Sequence, residues 1–85
     1  MPSNLYSPGQ IISLDQAKTG SNFRITEINN ADTAAMTVRL GILVGQTVAI
    51  SAKIPGGPVV ISLNNLEIAL GREYCKDIRG EIFHP

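Results

Sequence analysis

The chain has one cysteine, one histidine, no excess charge of either sign and no long apolar run, and each shortage removes a class of protein. A single cysteine, Cys75, excludes an intrachain disulfide, so the framework of a small secreted domain is absent and a reducing compartment, the cytoplasm, is expected. No apolar stretch approaches the roughly 18 residues needed to span a bilayer, and the start Met-Pro-Ser-Asn-Leu has neither the basic nor the apolar segment of a signal peptide, so no membrane insertion is expected. Seven basic side chains balance seven acidic ones. Nucleic-acid modules draw affinity from a positive face that neutralises phosphates, and with no such surplus no nucleic-acid partner is expected. The same neutrality offers little repulsion against a protein partner or a second copy, which leaves a homo-oligomer open.

Eighty-five residues make one domain, and a chain this short buries only about 60–65% of the surface it exposes when unfolded, so the core must be compact. The segment that organises it is Arg-Leu-Gly-Ile-Leu-Val-Gly-Gln-Thr-Val at 39–48. The pattern before it is helical and the pattern after it is that of a strand. Gly41 can end a helix in the left-handed conformation, and Gly45 can launch the strand. Ile42 is expected to fold back onto Met36 or Thr37.

Residues 1–10, with Pro2, Pro8 and Gly9, show no periodicity and are expected to form a flexible N-terminal arm, followed by one domain over 11–85. Ser13-Leu14-Asp15-Gln16 matches a capping box for a short helical turn. Residues 23–28 read as a strand with Phe23 and Ile25 on one face; Ile28 falls out of that register, which predicts a bulge or an end near Glu27. Asp32 is the expected cap of a helix over 33–40 whose apolar face is Met36 and Leu40, with Ala35 or Thr33 beside them. In 46–54 the alternation sets Val48, Ile50, Ala52 and Ile54 against Thr47, Ala49, Ser51 and Lys53. Pro55-Gly56-Gly57-Pro58 breaks the ladder, and residues 59–63 and 66–70 form a hairpin about Asn64-Asn65, where positive φ is tolerated. Residues 71–76 interrupt the strands with room for one helical turn, and 77–83 alternate Ile78, Gly80 and Ile82 with charged residues. About five short strands joined by connections too short for parallel crossovers predict a mainly β fold, a small SH3-like antiparallel barrel with two short helices.

No catalytic set emerges. His84, the single histidine, has no ligand-like spacing to Cys75, Asp77 or Glu81, and Cys75 has no neighbouring base in sequence, so no metal site, cofactor or enzymatic activity is expected. Gly56-Gly57 lacks the pattern and the following helix of a phosphate loop. Arg72, Lys76 and Arg79 are interleaved with Glu73, Asp77 and Glu81 and read as a mixed-charge solvated face. Ile42, Leu43 and Val44 are different, because three consecutive apolar residues between glycines cannot all enter one small core, and the remainder can dock on a partner.

The order Arg39-Leu40-Gly41-Ile42, Val44-Gly45-Gln46-Thr47-Val48, Gly57-Pro58-Val59 and Leu66-Glu67-Ile68-Ala69-Leu70-Gly71-Arg72 resembles the ferrous iron transport protein A (FeoA) family. Leu14-Asp15-Gln16-Ala17-Lys18-Thr19-Gly20 is similar to its first helix and turn, and residues 78–82 to its closing strand, so the likeness spans 11–83. It implies a cytoplasmic, non-enzymatic SH3-like barrel that works by contact with the ferrous iron permease, whose cytosolic part includes a GTP-binding domain. Ile42, Leu43, Val44, Gly56 and Gly57 are the candidate contact residues. The chain departs from the family in the helix before Leu40, which is usually rich in basic residues and here holds only Arg39. The same domain type occurs behind winged-helix DNA-binding domains, for which these 85 residues leave no room. Two other readings are an SH3-like regulatory module that binds a peptide or RNA, and a domain that binds a transition metal.

Overall fold

A computed structural model describes residues 9–83. Six antiparallel strands form one sheet: β1 (Ile11–Ser13), β2 (Asn22–Ile28), β3 (Thr47–Lys53), β4 (Val59–Leu63), β5 (Leu66–Leu70) and β6 (Ile78–Phe83), in the order β1-β6-β2-β3-β4-β5. The helices are α1 (Ala31–Arg39) between β2 and β3, α2 (Arg72–Cys75) between β5 and β6, and a 3-10 turn (Leu14–Gln16) after β1. The expected meander of β3, β4 and β5 is present, and β6 pairs with both β1 and β2.

The strand missed in the sequence is β1, three residues too short to show alternation. Its ladder extends backwards, since Gly9 donates its N–H to Ile82 O at 2.7 Å and Gln10 O accepts from Ile82 N at 3.1 Å. The arm expected over 1–10 is therefore tied to β6 at its last two positions, and its first eight lie outside the described residues, as does His84. After β1, Gln16 Oε1 accepts the Ser13 N–H at 3.0 Å, which closes the anticipated capping box.

Two bulges bend the sheet. In β2 the register against β6 slips between Ile25 and Glu27, so Thr26 is extra and Ile28, opposite Ile78, rejoins Phe23 and Ile25 on the core face. In β3 the slip falls between Ile50 and Ala52. The alternation expected over 46–54 holds for Val48 and Ile50, both buried, and then inverts. Ala52 lies opposite Val60 on the outer face, Lys53 lies opposite the buried Val59, and Ile54 is left exposed. With its stem turned inward, Lys53 donates from Nζ to Asp15 O at 2.9 Å and ties the end of β3 to the 3-10 turn. The core is Phe23 and the inward Ile, Val and Leu residues of all six strands, with Leu14, Ala17, Ile42 and Cys75 contributed from outside the strands.

Candidate functional site

Helix α1 starts two residues earlier in the chain than the expected Asp32 cap implies. Asn30, at φ 73°, is the cap, and its side chain accepts the Asp32 N–H at 2.9 Å. The packed face includes Met36 and Thr33 as expected, but not Leu40. Thr33 and Thr37 are buried and Met36 is partly buried, whereas Leu40 is 43% exposed. The threonines can face the core because their hydroxyls have partners: Thr33 Oγ1 donates to Asp77 Oδ2 at 2.9 Å, and Thr37 Oγ1 to Ala34 O at 3.0 Å. Asp77 also accepts the Asn29 N–H on its backbone oxygen at 2.8 Å, so the residue before β6 clamps the start of the helix.

The helix ends in a Schellman motif. The Ile42 N–H reaches Thr37 O at 2.8 Å and the Gly41 N–H reaches Val38 O at 3.0 Å, a geometry that requires the positive φ of 79° at Gly41. Ile42 folds back as expected and is fully buried, so of the candidate contact residues it is one that cannot meet a partner directly. Leu43 and Val44 turn the other way and are 49% and 58% exposed. The turn that carries them is pinned: the Leu43 N–H donates to Gln46 Oε1 at 2.8 Å, the Gly45 N–H to Ile25 O at 2.7 Å, and the Ile25 N–H to Gln46 O at 2.8 Å. Val38, 62% exposed, and Leu40 extend the same segment, giving four large apolar side chains at the surface within residues 38–44. Neither Val38 nor Leu40 was anticipated. Val38 was legible as an apolar residue off the packed stripe, but Leu40 was assigned inward because it stands at i, i+4 from Met36.

Gly56 and Gly57 lie at the other end of β3. Seven strand residues at roughly 3.3 Å each separate them from the Leu43 turn by about 20 Å. Gly56 holds a positive φ of 69°, and a Cβ on Gly57 would fall 2.9 Å from Ile54 Cγ2. Both glycines thus have structural reasons for being there. The Gly57 N–H donates to Ile54 O at 2.8 Å, closing the hairpin.

Among the described residues no group of three His, Cys, Asp or Glu side chains is placed to hold a metal. No helix among them is long and apolar enough to cross a membrane. Cys75 is fully buried, with Sγ 3.6 Å from Leu70 O. Burial first, and then the Asp15 carboxylate, push its thiol from 9.0 up to about 11. Because the unfolded chain releases this proton at lower pH than the folded one, the stabilising difference is whole below about pH 9 and is lost as pH rises to about 11. Urea midpoints measured across this window should therefore fall more for the native chain than for Cys75→Ala. Equal slopes would show that the thiol does not titrate differently on folding.

A curled antiparallel sheet of six short strands, plugged by two short helices and presenting an apolar turn, defines a small SH3-like β domain. The FeoA domain family matches residues 12–82, and the chain belongs to that family, a non-enzymatic accessory domain associated with ferrous iron transport. Among solved structures, it is similar to an iron uptake regulatory protein (FeoA), with a TM-score of 0.79 and 19% identity over 87% of this chain and 100% of that one. It is similar to a FeoA-like protein from Clostridium acetobutylicum, with a TM-score of 0.77 and 22% identity over 94% and 93%. A manganese-dependent transcriptional repressor also shares the fold, with a TM-score of 0.79 and 14% identity over 86% of this chain and 41% of the repressor. Among curated proteins none matches the chain.

Proposed function

We propose that this protein is a cytoplasmic accessory protein of ferrous iron uptake that acts by contact with the cytosolic side of a ferrous iron permease, through the apolar surface of residues 38–44. The observation that carries this reading is the exposure of Val38, Leu40, Leu43 and Val44 on a segment held rigid by a Schellman motif and by Gln46. Apolar side chains presented on a fixed backbone lose little conformational freedom on docking, which is what a compact contact needs. Family membership supplies the association with iron transport. The surface carries Arg39 as its one cation within 38–44, so the contact is apolar rather than electrostatic. The Gly56-Gly57 hairpin, about 20 Å away along β3, would be a second contact point only for a partner broad enough to span the strand.

The test is a pull-down of detergent-solubilised ferrous iron permease by the purified chain, with and without a GTP analogue. Retention is expected, and Leu43→Glu should weaken it by roughly tenfold or more, the scale of a lost hot-spot side chain, with an unchanged circular dichroism spectrum. Retention that Leu43→Glu leaves intact would remove the turn from the contact. Absence of retention in both nucleotide states would remove the permease as partner.

A further inference from the structure

The outer edge of β5 is not paired to another strand among the described residues. Asn64 and Asn65, at φ 52° and 67°, close the two-residue turn between β4 and β5, so Leu63 and Leu66 form the hydrogen-bonded pair next to it. Alternation along the ladder makes Ile61 with Ile68 and Val59 with Leu70 the next hydrogen-bonded pairs. The N–H and C=O of Glu67 and Ala69 then point away from β4. β5 is the last strand of the sheet, and among the described residues no backbone hydrogen bond covers that side.

We propose that two copies of this chain associate by antiparallel pairing of their β5 edges about a twofold axis at Ile68. In that register the outward groups of Glu67 meet those of the partner's Ala69, and those of Ala69 meet the partner's Glu67, which forms hydrogen-bonded pairs on both sides of the axis. Ile68 faces the partner's Ile68 across the close, non-hydrogen-bonded pair. Leu66, at 66% the most exposed large apolar side chain among the described residues, lies opposite the partner's Leu70. The register also settles the charge. Glu67 is the sole charged residue of β5, and it stands opposite alanine, so no carboxylate faces another. A partner of strong negative charge would gain nothing from this edge, whereas a second copy fits it residue for residue. This association is independent of contact with the permease, because it uses a different element and a different partner.

One five-residue edge per copy buries less than the roughly 1,000 Å² of a stable interface, so a monomer–dimer equilibrium with a Kd of roughly 0.1 mM is expected. Sedimentation equilibrium of the purified chain from micromolar to millimolar concentration should show it. Ala69→Glu places like charges opposite each other twice and should weaken the dimer roughly tenfold, and adding Glu67→Lys in that background should restore it, more so at low salt. Ala69→Pro removes the outward N–H without touching the β4 ladder and should leave a folded monomer. A chain that stays monomeric at millimolar concentration overturns the proposal. A dimer indifferent to Ala69→Glu, or one that the double variant fails to restore, overturns it as well.

Discussion

Replacing Gly80 with alanine should cost about 3 kcal/mol or more and leave little of the fold's stability. Gly80 lies within β6, paired with Ile12 of β1 on one side and Ile25 of β2 on the other. A Cβ there would lie 2.4 Å from Phe23 Cε1 and 2.5 Å from Arg24 O. Neither neighbour can yield cheaply. Phe23 is fully buried, so its ring has no space to swing into, and Arg24 O belongs to the ladder that joins β2 to β6. A small domain starts from a low total stability, so the loss is expected to appear as a large fall in the urea midpoint or as failure to fold. Phe23→Leu in the Gly80→Ala background should recover only part of the loss, because the contact with the backbone oxygen remains. A Gly80→Ala variant within about 1 kcal/mol of the native chain would show that β6 can move away from β2, contrary to this packing.

The sequence displayed some of these devices and concealed others, for physical reasons that two strands make plain. In β2 the apolar residues Phe23, Ile25 and Ile28 break their own two-residue period, and that break betrayed the bulge at Thr26. In β3 the residues Val48, Ile50, Ala52 and Ile54 keep the period without interruption, although the chain bulges at Ser51. The inversion is marked only by a lysine turned inward, and a long amphipathic side chain with an acceptor at its tip gives no sign of that in one dimension. The positive φ values at Gly41, Gly45, Gly56, Asn64 and Asn65 were readable because left-handed backbone demands those residue types.

The candidate surface was half legible. Glycines bracketing three apolar residues announced that some must face outward, but which ones depended on where the helix put its buried stripe. Thr33, expected beside Met36, and Thr37 both occupy that stripe, and Thr33 can do so because its hydroxyl donates to Asp77 Oδ2 at 2.9 Å, forty-four positions along the chain. With the stripe set by threonines, Leu40 and Val38 rotate to the surface and enlarge the patch from two exposed side chains to four. Hydrogen bonding thus admitted both threonines to the packed face, and periodicity, which placed Met36 there as well, misplaced only Leu40.

The same geometry makes neighbouring residues of one turn separable by experiment. Ile42→Ala should destabilise the fold by about 2–5 kcal/mol, the range for emptying a branched apolar side chain from a packed core. Ile42 has no exposed surface, it belongs to the core cluster, and its own N–H closes the Schellman motif on Thr37 O. Truncation removes the side chain that anchors the turn while leaving that hydrogen bond in place, so the helix end would lose its hydrophobic contact but keep its cap. Ile42→Val, which deletes one methylene, should cost about 1 kcal/mol. Leu43→Glu, one residue along and half exposed, should shift stability by no more than about 0.5 kcal/mol. Denaturant midpoints of the three variants therefore test the direction of each side chain, separately from any partner. If Ile42→Ala proved as mild as Leu43→Glu, the turn would be rotated relative to this structure, and the surface offered by residues 38–44 would have to be redrawn around Ile42.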